Sequence, residues 1–121
     1  MINAELIKAH FLRNAKDSVV LKQLKRSSSK LNAKPEKSYK EIELSNCIVQ
    51  FKKANFKTEE AGSFTEQIIH IIRLDDGTRF QIGDRIQYLE NEYILESPVV
   101  LRASYGIFQT ILVEAKFSGT L

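Results

Sequence analysis

Segment 73–95 carries three reversal signals so close together that only short antiparallel strands fit between them. Asp76-Gly77 predicts a hairpin, because a tight primed turn needs positive φ and Gly supplies it without a Cβ clash. Gly83-Asp84 predicts a second turn, followed by a strand with Ile86 and Tyr88 on one face. Glu90-Asn91 predicts a third reversal, since Asn tolerates the left-handed region. Tyr93-Ile94-Leu95 then begins another strand. Turn, strand, turn, strand in this order is a β-meander, and the rest of the chain is expected to pack on it or hang from it.

The chain has 121 residues, enough for one domain (1–121) that buries a core without disulfides. Cys47 is the single cysteine, so no internal disulfide forms, as is usual in a reducing compartment. No apolar run approaches the ~20 residues that span a bilayer, and the N-terminus lacks the basic-then-apolar pattern of a secretion signal. A soluble intracellular product with no membrane partner is expected. The net charge of +3 is unevenly spread: residues 1–60 hold 13 basic and 7 acidic residues, residues 61–121 hold 5 and 8. A basic half has an affinity for nucleic acid or for the acidic half of a neighbouring copy, and both readings stay open.

Asn3 is placed to cap a short amphipathic helix over about residues 4–15, with Glu5 in its first turn and Ile2, Leu6, Ile7 and Phe11 at helical spacing. The helix is expected to cover one opening or face of a sheet, with His10 half-buried beside its apolar residues. Residues 19–25 read as a first strand. Residues 26–40, with Ser27-Ser28-Ser29, Pro35 and regularly placed lysines, read as a long polar loop. Residues 41–53 read as a long strand whose apolar parity switches near Asn46, the mark of a bulge, with Cys47 buried as a small apolar residue. A second long loop is expected over 53–66, where Phe56 and Phe64 stand among polar residues as a contact surface. Residues 67–74 form a strand apolar on nearly both faces, which implies burial on both sides or an oligomer contact. The meander spans about 67–102, strand character resumes at Val99-Val100-Leu101, and Ser104-Tyr105-Gly106 turns the chain into a last strand. There Ile111, Val113, Ala115 and Phe117 are expected inward, and Thr110, Glu114 and Lys116 outward. The sum is a mainly β fold: a small antiparallel barrel or sandwich of about six or seven strands, with a short N-terminal helix and two long loops.

Catalytic chemistry finds no foothold in this pattern. One Cys and two distant His residues lack metal-ligand spacing, no Gly-rich phosphate loop opens a helix, and no serine stands in a Gly-flanked elbow. Turn chemistry accounts for Asp75, Asp76 and Asp84. Neither an enzyme nor a cofactor is expected. A nucleic-acid-binding barrel is the alternative, with Tyr88, Tyr93 and Tyr105 stacking on bases, although the meander that carries them is acidic.

The order of features, with Gly83-Asp84-Arg85-Ile86 and Tyr93-Ile94 in a hairpin after an Ile-rich strand, resembles the head-completion or head-closure (head–tail joining, neck) proteins of tailed bacteriophages. Glu90-Asn91 stands where that family usually has a Gly. The resemblance implies a structural virion protein of the neck, assembled in the host cytoplasm. It implies a ring of identical copies between portal or adaptor proteins and tail proteins, whose loops border a channel for double-stranded DNA. A tail-terminator or tail-completion role is a neighbouring possibility. Cyclic symmetry makes each contact heterologous. On that basis Lys30, Lys34 and Lys37 are expected on a basic contact face, Asp75, Asp76 and Asp84 on an acidic one, and Phe56 and Phe64 in a partner or channel loop. Charge reversal of the three lysines is then expected to weaken assembly.

Overall fold

A computed structural model describes residues 3–26, 37–58 and 62–120, with the side chains of 24–26, 37, 38, 54–58 and 62–65 outside the description. Helix α1 spans Ala4–Asn14. The Asn3 side chain accepts from the Glu5 and Leu6 amides at 3.0 and 3.4 Å, satisfying two donors that a helix start leaves without partners. Arg13 lies in the last turn, where a cation complements the helix dipole. The expected apolar face divides in two. Ile7 and Phe11 are half-buried, whereas Leu6, Ala9 and Leu12 are exposed, and no residue of α1 is buried. His10 is exposed rather than half-buried: at the surface its ring Nε2 lies 3.3 Å from the Asn14 side-chain nitrogen, and its backbone carbonyl accepts from that amide at 2.9 Å.

Seven strands follow: β1 Asp17–Arg26, β2 Lys37–Thr58, β3 Gly62–Leu74, β4 Arg85–Tyr88, β5 Asn91–Leu95, β6 Val100–Ser104 and β7 Gln109–Thr120. Six of them close an antiparallel barrel in the order β3-β2-β1-β4-β5-β7, with β7 pairing back onto β3. Closure removes the open edges that a sheet of this size would expose. β6 is the extra strand. It takes the stretch of β7 beyond the part paired with β5, so among the described residues one edge of β6 has no strand beside it.

The interior is built by alternation. Val19 and Leu21 of β1, Ile69 and Ile71 of β3, Ile86 of β4, Tyr93 and Leu95 of β5, and Ile111, Val113 and Ala115 of β7 share one buried cluster with Leu44 and Cys47. The parity switch in β2 occurs where expected. Asp17 pairs with Cys47 but Val19 pairs with Leu44, so β2 carries one extra residue, and Asn46 absorbs it at φ +56°. The bulge lets Leu44 and Cys47 point into the same core across an odd spacing. Asp17 fixes this corner: its carboxylate accepts from the Val49 amide at 3.0 Å and from the Tyr88 hydroxyl at 3.2 Å.

Four local expectations are corrected. Asp76-Gly77 makes a turn, with Gly77 at φ +85°, but no hairpin. β3 is already paired on both edges, by β2 and β7, so the chain leaves it and crosses to β4 beside β1. The third reversal is centred on Leu89-Glu90, with Tyr88 paired to Asn91 and Leu89 at φ +56°. Most of the loop expected over 53–66 is strand: Lys53–Thr58 and Gly62–Gln67 continue as paired strand, Phe56 directly opposite Phe64. Strand pairing satisfies the backbone groups there despite the polar composition. In β7, Thr110 is buried rather than outward, and Phe117, which keeps the inward parity opposite the buried Tyr93 and meets its ring edge-on at 5.8 Å between centroids, is still 37% exposed.

Candidate functional site

Strand pairing sets out two projecting surfaces of this molecule. β2 is 22 residues long, on the order of 70 Å at the usual rise per residue. Its middle belongs to the barrel wall, and both ends leave it. At one end Lys37–Lys40 pairs only with Gln23–Arg26 of β1, since β4 reaches β1 only at Val20–Lys22. At the other end Lys53–Thr58 pairs only with Gly62–Gln67 of β3, since β7 reaches β3 only from Ile68 onward. Two two-stranded ribbons therefore extend from opposite ends of one strand. The first is the base of the segment expected as a loop over 26–40, and the second replaces the loop expected over 53–66.

The residues singled out in the sequence distribute unevenly over these surfaces. Lys30 and Lys34 lie outside the described residues. Lys37 begins the paired part of the first ribbon, and Phe56 and Phe64 face each other in register on the second, their side chains outside the description. Asp75 and Asp76 lie together in the turn after β3. Asp75 accepts from the Gly77 amide at 3.2 Å and Asp76 from the Thr78 amide at 3.0 Å, the turn chemistry expected of them. Asp84 is not on the surface. It is 3% exposed, and its carboxylate accepts from the Gln81 amide at 2.8 Å while its backbone bonds Leu95. A turn packed against β5 needs that internal acceptor, so Asp84 is structural.

Arg73 was legible only as a break in an apolar strand, and it is the most informative residue near Asp76. Its guanidinium is buried at the end of the barrel and forms two parallel hydrogen bonds of 3.0 Å to the Asp76 carboxylate, with Thr78 Oγ1 3.3 Å from Nη1. Burial pushes the Asp76 carboxyl up, but Thr78 and Arg73 together overcome this and hold it down at about 2. Leu12 of α1, Ser45, Asn46 and Leu74 join Arg73 and Asp76 around a depression of about 230 Å³.

The charge split is partly consumed inside the chain. Lys22 of β1 lies 3.5 Å from Glu92 of β5, and Arg85 of β4 hydrogen-bonds the same carboxylate and stands 5.8 Å over the Tyr39 ring. The Arg85 hydrogen bond holds Glu92 below its ordinary value against the effect of burial. Lys116 links Glu66 and Glu96 beside a second depression, about 150 Å³, which Glu114, Ile68 and Ser97 also line. Both depressions fall short of the roughly 300 Å³ at which small-molecule sites begin. Among the described residues no group of three or more His, Cys, Asp or Glu side chains is arranged to hold a metal ion. Cys47 is buried, and burial pushes its thiol up, away from the thiolate a nucleophile needs.

Apolar side chains left outside the barrel are the remaining feature. Leu6 and Leu12 stand on α1, Phe51 and Leu89 flank Tyr88, and Val100, Leu101 and Ile107 line the β6 corner, all exposed. The base-stacking platform of the nucleic-acid reading does not form. Tyr93 is buried in the core, Tyr105 stacks on Phe108 at 4.8 Å between centroids, and Tyr88 turns its hydroxyl to Asp17. Comparison with protein-family models and with curated protein sequences finds no match for this chain. No helix among the described residues is long and apolar enough to cross a membrane.

Proposed function

We propose that this chain is a structural protein of the bacteriophage neck, forming a ring between portal and tail that closes the DNA-filled head and offers a platform to the tail. The observation that carries the reading is the pair of ribbons leaving opposite ends of β2. An adaptor must touch different proteins on its two sides, and a barrel with a ribbon at each end of its longest strand has two distinct ends to do so. The apolar side chains on α1, beside Tyr88 and at β6 lie on separate elements, which suits contacts between unlike faces of neighbouring copies. Double-stranded DNA would pass the ring without sequence-specific contact, attracted by the lysines of segment 22–40 through its phosphates.

The test is the solution mass by light scattering, at low and physiological salt, alone and with purified portal or tail components, followed by imaging of any assembly. A closed ring, or a monomer that becomes a ring on portal, supports the reading. A monomer indifferent to phage components that instead binds single-stranded DNA, with affinity falling steeply as salt rises, overturns it.

A further inference from the structure

We infer that the ribbon formed by Gln23–Arg26 and Lys37–Lys40 enters a groove of double-stranded DNA and holds the phosphates on both sides of it. The inference rests on the DNA contact contained in the neck reading and names the surface that makes it. The two ribbons of β2 differ in charge. Residues 23–40, which the first ribbon closes, hold six basic residues and one acid, Glu36. Residues 53–67, which the second closes, hold two basic residues and three acids. A chain of net charge +3 therefore concentrates its positive charge at one end of its longest strand.

Register divides these cations between both faces of the ribbon. Residues directly opposite one another in an antiparallel pair share a face, and successive pairs alternate. Leu24 pairs with Tyr39 and Arg26 with Lys37, so both pairs lie on the face that begins with Lys22 and Glu41. Gln23 pairs with Lys40 and Lys25 with Ser38, and these lie on the other. Arg26 and Lys37 are like charges directly opposite, which repel until an anion comes between them. The base of the ribbon continues the pattern. On the first face Arg85 pairs with Lys22 and stands over the Tyr39 ring, and one carboxylate, Glu92, serves both cations. On the second, the Gln23 amide donates to the Arg79 carbonyl and so fixes the exposed Arg79 beside the ribbon.

Cations on both faces select the partner. An acidic protein surface covers one face of a ribbon and leaves the other in water, whereas the walls of a DNA groove present phosphates to both. The dimensions agree. Paired strands lie about 4.8 Å apart, and the major groove of B-form DNA, about 12 Å wide, admits a two-stranded ribbon. Four residue pairs extend the ribbon by roughly 13 Å, more than the groove depth of about 8.5 Å. Lysine and arginine contacts to phosphate hold a duplex in place without selecting its sequence, as contact with passing DNA requires.

The deciding experiment follows the anisotropy of a labelled duplex of arbitrary sequence titrated with full-length proteins. These are wild type, K25Q/K40Q on one face, R26Q/K37Q on the other, and K53Q/K57Q on the second ribbon. Wild type is expected to bind, with affinity falling steeply between about 50 and 200 mM salt. Each first-ribbon variant is expected to bind more weakly and to lose two phosphate contacts, so that its fall over this salt range is roughly tenfold smaller. K53Q/K57Q is expected to match wild type, as are K25R/K40R and R26K/K37R, which keep the charge and so separate its loss from a folding defect. A wild type that leaves the duplex free at low salt overturns the inference. So does an effect confined to one face, or tighter binding to a single strand or to polyglutamate of equal charge than to the duplex. A ring that assembles on portal while both first-ribbon variants bind duplex like wild type overturns this inference and leaves the neck reading standing. A chain that binds duplex through both faces yet forms no ring with portal does the reverse.

Discussion

Arg73 and Asp76 are joined by two parallel hydrogen bonds, Nη1 to Oδ1 and Nη2 to Oδ2, each 3.0 Å, across the turn that Gly77 makes at φ +85°. The pair explains why a guanidinium is tolerated at the end of an Ile-rich strand. The Arg73 side chain is 8% exposed and its planar fork matches the carboxylate, which itself stays half in water at 51%. Asp76→Ala leaves that guanidinium without its anionic partner. A loss of about 2 kcal/mol is expected, below the cost of breaking a fully buried pair because Asp76 is half-exposed. The midpoint of urea unfolding measures it, and a change under ~0.5 kcal/mol would show that the pair carries no stability.

The same pair predicts an acid transition. The Asp76 carboxyl is held at about 2 in the folded chain against an ordinary 3.8. A depressed folded value means that its contribution is fully present above the ordinary value and is lost as pH falls through the folded one. Stability is therefore expected to drop between pH 4 and pH 2, with a shallower drop in Asp76→Ala measured over the same range. Identical acid profiles for the two proteins would contradict the assignment.

Leu89 at φ +56° is a bulky residue in a region that costs an L-amino acid free energy, and its side chain is exposed. Leu89→Gly removes that cost and loses no core packing. A gain of about 0.5 kcal/mol is expected after the extra chain entropy of Gly is subtracted. Thermal unfolding reads the sign, and destabilisation would mean that Leu89 makes a contact worth more than its strain.

Tyr88 donates to Asp17 at 3.2 Å at the corner where β1 enters the barrel. Burial, reinforced by the Asp17 carboxylate, pushes its hydroxyl up. The Tyr88 hydroxyl is therefore expected to ionise above its ordinary value when tyrosinate absorbance is followed into alkali, and Tyr88→Phe is expected to remove that contribution. Stability from this raised group is full below its ordinary value and is lost as pH rises through the folded one. Tyr88→Phe is expected to cost about 1 kcal/mol near neutrality, the usual net value of one hydrogen bond.

Cys47 reads as inert. Its side chain belongs to the buried core cluster, and burial pushes its thiol up. Labelling by a thiol reagent is expected only with unfolding, at a rate that rises with denaturant. Rapid labelling of the native chain would show that the bulge at Asn46 opens far more readily than the rest of the barrel.

Local chemistry made a good deal of this molecule legible. Asn3 caps the helix because a side-chain oxygen two residues ahead of Glu5 finds its amide in any context. Gly77 and Gly83 take positive φ because the residue itself permits it. The parity switch at Asn46 announced a bulge because alternation leaves no other way to bury both Leu44 and Cys47. The acidic candidates fared differently. Asp75 and Asp76 remain at the surface, but Asp84 is buried, since a sequence shows that a turn exists and not what packs over it.

What the sequence by itself determined was therefore the alternation, the caps and the places where the chain can reverse, because each depends on interactions within a few residues. Only the tertiary structure decided which strands share an edge. With both edges of β3 taken by β2 and β7, the Asp76-Gly77 turn could not become a hairpin, and the polar stretch around Phe56 and Phe64 became a ribbon because each strand supplied the other's missing backbone partners. Pairing across long sequence separations is a property of the closed barrel as a whole. No window of residues contains it, and it is this pairing that sends two ribbons out from opposite ends of β2 and leaves one edge of β6 without a strand among the described residues.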